Sequence, residues 1–284
     1  MDRSLLSAAA IMSLGMLLIP FGDTAGKMMT NSGVSPLFVA WTRYGVGLLI
    51  LLPFVWQAEA LSLLKNWRIW LRSALQVGTI VTILTALSTE PIATVFGAFF
   101  LGPMVSYVLS IWLLKEQGSP LRIVLLLIGL GGVFLVVKPG FGMTPGLAWA
   151  VLSGVFYGMF LTASRWVSPL GRPVNLLLTQ LIIGTFLLVP LGATHIPAEI
   201  PWGLVAWSAI ASMLGNLFLV FAYARAGATT LAPFVYVQLI GATVYGVLFF
   251  NTWPDWVSSV GIAVIFCAGT ATLFLKRRPM PLQP

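Results

Sequence analysis

The sequence predicts an all-α membrane protein. It implies ten transmembrane helices, arranged as two inverted five-helix repeats around a central cavity. Three observations predict it. The 284 residues are 59% hydrophobic and 8% charged, against roughly 25% charged for soluble domains, and mean hydropathy is +1.00. The apolar residues come in unbroken blocks of about 20, the length that crosses a hydrocarbon core. The chain also repeats itself weakly at an offset that makes each copy five spans long.

The spans read, in order, as 5–26, 34–56, 67–89, 91–114, 120–137, 145–165, 172–192, 202–224, 227–250 and 255–275, set off by charges and by Pro/Gly breaks. Asp2 and Arg3 lead straight into the first block, which reads as a retained helix rather than a cleaved signal. Connections such as Ser88-Thr89-Glu90-Pro91 and Arg225-Ala226-Gly227 are short enough to make their flanking helices antiparallel neighbours. With the N-terminus inside, Arg3, Lys65, Arg68, Arg72, Lys115, Arg122, Arg165, Arg172, Arg225, Lys276, Arg277 and Arg278 fall on the inner side, and Lys27 and Lys138 on the outer. Twelve against two is a positive-inside bias that puts both termini in the cytoplasm of a plasma (bacterial inner) membrane. The net charge of +8 is thereby accounted for as topology, and no nucleic-acid partner is implied. Trp56, Trp67, Trp70, Trp166, Trp202, Trp253 and Trp256 sit near span ends, as an interfacial belt does.

The repeat is carried by four matches in order. They are IPFGDTAGK (19–27) with YGMFLTASR (157–165), LLILLPF (48–54) with TFLLVPL (185–191), TALST (85–89) with FAYAR (221–225), and Pro120 with Pro254, at offsets drifting from 138 to 134. The first repeat is placed at 1–138, the second at 144–278, and a short cytoplasmic tail at 279–284. Five is odd, so the second copy enters the membrane upside down, the architecture of many secondary transporters. Pro103 and Pro233 interrupt the fourth and ninth spans and are expected as helix hinges. Gly22 and Gly26, and Gly154 and Gly158, allow close helix crossings in the first span of each half.

The order and texture of these stretches resemble the drug/metabolite transporter superfamily, in its EamA-type branch. The matching segments are IPFGDTAGK, VSPLFVAWTRYGVG, LTALSTEPIATVFGAFFLGPMVSYVLSIWLLKE, GGVFLVVKPGFGMTPG and LAPFVYVQLIGATVYGVLFFNTWP, which together span nearly the whole chain. Two positions depart from the family pattern. The Gly-Glu near the end of the fourth and ninth spans is Lys115-Glu116 in one copy and Asn251-Thr252 in the other, and the Trp-Gly of the first span is Ile19-Pro20. The resemblance implies a basket-like ten-helix fold and export of small metabolites without ATP, with aromatic or other hydrophobic amino acids as the first substrate class. Nucleobase-, flavin- and nucleoside-like metabolites are the alternative. It also implies an arginine at this point of the second span, here Arg43.

Arg43 lies seven residues in from Pro36, about 10 Å below the outer surface at 1.5 Å per residue, and Asp23 lies at similar depth in the neighbouring span. A charge there is costly unless paired or wet. The two can pair as a structural tie, or serve as an outer gate or a contact for a substrate carboxylate. The cavity lining is expected from Gln76, Thr79 and Thr82 of the third span, Phe100 and Tyr107 of the fourth, Tyr157 of the sixth, Gln180 of the seventh, Asn216 of the eighth, and Tyr236 and Gln238 of the ninth. Such a lining is neutral, aromatic and amide-rich, and suits a flat or zwitterionic solute better than a metal ion or phosphate. No metal or cofactor is expected; the partners are a small-molecule substrate and membrane lipid, with the chain a monomer or homodimer. An enzyme is disfavoured because the single His195 falls in an outer loop and the buried hydroxyls lack a partnered base. A scramblase or a solute channel remains as a rival reading.

Overall fold

The computed structural model describes residues 3–55, 58–115, 120–139, 142–223, 225 and 232–271. The connection at 226–231, Glu116, Trp56 and the stretch from 272 to the C-terminus, including the expected tail, lie outside the described residues. All regular structure among them is helical: α1 (Arg3–Asn31), α2 (Pro36–Val55), α3 (Ala58–Leu63), α4 (Trp67–Leu87), α5 (Ile92–Phe99), α6 (Leu101–Leu113), α7 (Pro120–Val137), α8 (Pro145–Val167), α9 (Pro173–Gly192), α10 (Trp202–Tyr223), α11 (Val237–Phe250) and α12 (Trp256–Ala271). Short 3₁₀ segments stand at Ser168–Leu170, Ala193–His195 and Ala232–Tyr236.

Local chemistry sets the ends. Proline opens α2, α7, α8 and α9, where its missing N–H is unneeded. The Asn66 side chain accepts from the Arg68 N–H at the start of α4, and Thr144 does the same for Leu147 at the start of α8. Gly33 (φ 87°) follows α1 and Asn251 (φ 52°) follows α11, each in the left-handed conformation that turns the chain out of a helix.

Among the described residues, seven apolar helical segments are long enough to cross a membrane, one of them Ile92–Leu113, which joins α5 and α6. Three shorter apolar ones, Ile123–Val137, Phe234–Phe250 and Trp256–Ala271, complete the ten expected spans. The short piece α3 falls between two spans, where the sequence predicts only a loop. The first span extends beyond its expected end, so that Lys27, expected at the outer surface, is instead inside α1 and buried.

The helix pairing carries the repeat. α1 packs along α10 and α4 along α8; α2 packs on α9 and α7 on α12; α6 packs on α8 and α11 on α1; α4 meets α9 and α10 meets α2. Exchanging each span with its counterpart five spans on maps this set of contacts onto itself. That invariance is what two copies related by a pseudo-two-fold axis produce, and five spans per copy, an odd number, make the copies inverted.

Tight crossings hold the halves together. Lipid tails are as apolar as the helices, so association relies on close packing rather than on excluding water. A Cβ added to Gly158 would lie 2.6 Å from the Gly102 carbonyl oxygen and 2.6 Å from Val105 Cβ; one added to Gly154 would lie 2.9 Å from the Phe99 oxygen. Gly15 and Gly215 bring α1 and α10 together in the same way, and Gly132 and Gly261 bring α7 and α12 together. The other predicted pair divides its work: Gly22 faces α10, and Gly26 leaves room for Leu84 and the Arg43 guanidinium. Leu49, Phe54, Trp112, Leu127, Phe186 and Leu248 face outward and are exposed, as a lipid-facing surface requires.

Candidate functional site

The fourth and ninth spans are both broken. α5 gives way to α6 at Phe100 (φ −66°, ψ 1°), and the 3₁₀ turn ending at Tyr236 (φ −70°, ψ −14°) gives way to α11. Pro103 has no N–H to offer the Phe99 carbonyl one turn back, which accounts for the first break. Pro233 lies within the 3₁₀ segment that precedes the second. Phe100 and Tyr236 are 136 residues apart, inside the range of the repeat offset, and their rings stack with centroids 5.0 Å apart and planes 20° apart. The two interrupted helices therefore meet through equivalent aromatic residues at the pseudo-two-fold axis.

Aromatic side chains continue from this stack. Tyr157 of α8 packs on Phe99 at 4.6 Å and on Phe160 at 6.2 Å. Its counterpart in α1, Phe21, also 136 residues away, packs on Trp207 at 4.7 Å and Tyr245 at 5.4 Å.

Several buried polar atoms lack a partner. Among the described residues, Tyr44 Oη, Ser73 Oγ, Gln76 Oε1, Trp41 Nε1, Trp207 Nε1 and Ser212 Oγ are buried with no hydrogen-bond partner in the protein. Most buried polar groups are satisfied; these six atoms, on α2, α4 and α10, are exceptions among the described residues. Gln76 and Ser212 are again 136 apart and sit on the equivalent helices α4 and α10. Gln180 and Gln238 are buried on α9 and α11. Tyr107 is half-buried on α6, next to Ser106, which accepts from Thr162 of α8.

Three predicted lining residues donate to their own helices. Thr79 donates to the Leu75 carbonyl, Thr82 to the Gly78 carbonyl, and Asn216 to the Ser212 carbonyl, each one turn back in its own helix. Residues the sequence reading passed over are Tyr44, Ser73, Ser212, Trp41 and Trp207. They follow no apolar-polar period in a helix apolar on all sides. The one available signal was that Trp41 and Trp207 lie some way inside their spans rather than at the ends.

Charge is concentrated at four points, three of them buried in the helices. Arg43 Nη1 lies 2.5 Å from Asp23 Oδ1; Nη2 donates to the Gly22 carbonyl (3.3 Å) and to Ser208 Oγ (3.0 Å), which Nε also reaches (3.2 Å). The arginine is 6% exposed and the aspartate 2%, so α1, α2 and α10 are joined by a dry ion pair. Lys27 donates to the Leu87 and Glu90 carbonyls (2.5 and 2.8 Å) and so caps the C-terminus of α4. Arg72, counted from the sequence as a loop charge, is buried in the second turn of α4. Its Nε donates to Ser164 Oγ of α8 (2.9 Å), its Nη1 to the Leu176 carbonyl of α9 (3.1 Å), and its guanidinium lies 4.9 Å from the Phe160 ring centroid. Outside the spans, Lys138 pairs with Asp255 at 2.8 Å. The bonds from Lys138 and Ser258 hold the Asp255 carboxyl well below the usual carboxylate range.

A repeat of five helices, with broken spans meeting at an aromatic stack, defines a multi-pass membrane protein. The model of the EamA-like transporter family matches residues 6–138 and again 144–274, and the chain belongs to that family, within the drug/metabolite transporter superfamily. Among curated relatives, an uncharacterized transporter of Helicobacter pylori is 29% identical over 181 residues, 59% of this chain and 60% of that one. The S-adenosylmethionine uptake transporter of Rickettsia bellii is 22% identical over 85% of both chains. The pseudopaline exporter of Pseudomonas aeruginosa is 26% identical over 84% of this chain and 86% of that one. The match thus spans about three fifths of the Helicobacter protein and most of the other two. A crystal structure of a protein with 20% identity superposes with a TM-score of 0.66 over 96% of this chain and 98% of its own, a likeness of fold.

Proposed function

We propose that the chain is a secondary carrier for small amphipathic metabolites that combine a flat ring with a zwitterionic group, aromatic amino acids first among them. The observation that carries this reading is the Phe100–Tyr236 stack between the two broken spans, with Gln76 and Ser212 each burying an unpartnered polar atom on equivalent helices. Aromatic faces would take the ring, and the unpartnered amide and hydroxyls would take the polar end. Gln180, Gln238, Tyr107 and Tyr157 complete the lining; Pro103 and Pro233 act as hinges. The repeats, taken as 1–138 and 144–278, rock against each other about this centre, and the small-residue crossings give the sliding surfaces.

The relatives named for S-adenosylmethionine uptake and pseudopaline export bear on this reading in two ways. S-adenosylmethionine joins a flat adenine to an amino-acid zwitterion, the combination proposed here. The pair also includes both directions of transport, so export rests on the resemblance to exporters and on the orientation with both termini in the cytoplasm of a bacterial inner membrane.

The test is counterflow in proteoliposomes preloaded with unlabelled phenylalanine, following radiolabelled phenylalanine, with S-adenosylmethionine run in parallel. Saturable uptake that Gln238→Ala or Tyr236→Ala abolishes, in protein that remains folded, supports the reading. Uptake of neither solute above empty liposomes overturns the substrate class.

A further inference from the structure

The buried Arg43 cluster ties three spans: α1, α2 and α10. Their repeat counterparts are α8, α9 and α4, and those are the three helices that Arg72 ties. The correspondence extends to register. Arg72 and Ser208 are 136 residues apart, as are Gly22 and Gly158, Phe21 and Tyr157, and Phe100 and Tyr236. In one cluster an arginine on the second span reaches a serine on the eighth. In the other, the arginine itself stands at the position equivalent to that serine, on the third span, and reaches the sixth and seventh. The position equivalent to Arg43 holds Thr179, whose hydroxyl turns to the Leu176 carbonyl, the same oxygen that Arg72 uses.

The two clusters lie at opposite faces of the membrane. Arg43 is seven residues into α2 and Arg72 five residues into α4; these consecutive spans enter from opposite sides, joined through α3. Asp23 sits on the side where α4 ends, since Lys27, one turn further along α1, caps that end. Arg72 is about 22 Å from it, fifteen residues at 1.5 Å each. Each cluster therefore closes the interface between halves at one face, and the aromatic centre lies between.

From this placement we infer that Arg72 is a positioning residue of the transport cycle: it is the bolt of the inner gate, the counterpart of Arg43 and Asp23 at the outer gate, and the two open in alternation. The inference rests on the alternating-access reading above. The gates differ in chemistry. Arg43 is neutralised by Asp23 and held by a carboxylate; Arg72 is held by a hydroxyl, a carbonyl and an aromatic face, and among the described residues no carboxylate forms a salt bridge with it. When the halves part, the Arg72 bolt has only neutral acceptors to leave.

Side-specific labelling tests this without any substrate, so its failure is separable from failure of the substrate proposal. Thr79→Cys, about midway along α4, is placed in a Cys267→Ser background as a reporter for a membrane-impermeant maleimide. The rate is measured in sealed vesicles of each orientation. Arg43→Gln is expected to raise labelling about tenfold from the Asp23 face alone, and Arg72→Gln to raise it from the opposite face alone. Ser208→Ala and Ser164→Ala, which remove one acceptor each and keep the charges, are expected to shift labelling in the same two senses by less, and they serve if an arginine variant does not fold. Increases from the same face, equal increases from both faces, or unchanged rates in folded protein would each overturn the assignment.

Discussion

Removing Asp23 is expected to harm the protein more than removing Arg43, although the two form one ion pair. The guanidinium donates at 2.5 Å to the carboxylate and also reaches Gly22 and Ser208, all in a site with almost no exposure. Breaking a buried pair from one side costs about 3–5 kcal/mol, because the remaining charge is left uncompensated. That figure applies in full to Asp23→Asn, since arginine keeps its charge under any accessible condition. In Arg43→Gln the carboxyl that remains can shed its charge by taking a proton. The loss then falls toward that of an unsatisfied buried polar group, about 1–3 kcal/mol. The double variant, Asp23→Asn combined with Arg43→Gln, leaves no buried charge and is expected to be more stable than Asp23→Asn alone. Neutral hydrogen bonds between membrane helices average only about 0.6 kcal/mol, so the neutral pair itself contributes little either way. The assay is reversible unfolding in mixed micelles by titration with a denaturing detergent at neutral pH. An Asp23→Asn loss of about 3 kcal/mol is a shift of over a hundredfold in the unfolding equilibrium. If Arg43→Gln proves as damaging as Asp23→Asn, or if the double variant shows the sum of the two losses, the reasoning from uncompensated charge is wrong.

Other perturbations follow from the same geometry. Gly158→Ala pushes a methyl group into the Gly102 backbone and Val105 and is expected to cost about 1–3 kcal/mol in the same unfolding assay. Gly131→Ala meets nothing within 4 Å and is expected to be neutral or to stabilise by up to about 1 kcal/mol. Tyr236→Phe keeps the stack on Phe100 and should retain counterflow, whereas Tyr236→Ala should lose it with the fold intact by circular dichroism. For Asp255, the depressed carboxyl contributes stability above its unfolded value of about 4 and loses that contribution as pH falls through the folded value. The melting-temperature difference between wild type and Asp255→Asn should therefore be level from pH 8 to 5, shrink below about pH 4, and diminish with added salt because the pair is exposed.

The sequence by itself determined the class of the protein and the number of its spans. Unbroken apolar blocks of about 20 residues have no other stable form than membrane helices, and an odd-numbered repeat of antiparallel spans is inverted by arithmetic. It also placed Asp23 and Arg43 at similar depth, because depth along a helix follows directly from residue count. Tertiary structure alone decided which side chains face one another. In a helix apolar on every side, the period of 3.6 residues carries no signal for the inward face. Thr79, Thr82 and Asn216 read as lining from their place in the spans alone, and only the structure shows that each donates to its own backbone, while Tyr44, Ser73 and Ser212 went unremarked. Arg72 read as a loop charge because hydropathy finds a span and not its neighbours; only the packing of α4 on α8 and α9 brings it to Ser164 and Leu176. The stack of Phe100 on Tyr236 belongs to the same category. It joins residues 136 positions apart, and that distance is closed only when the two halves fold against each other about their shared axis.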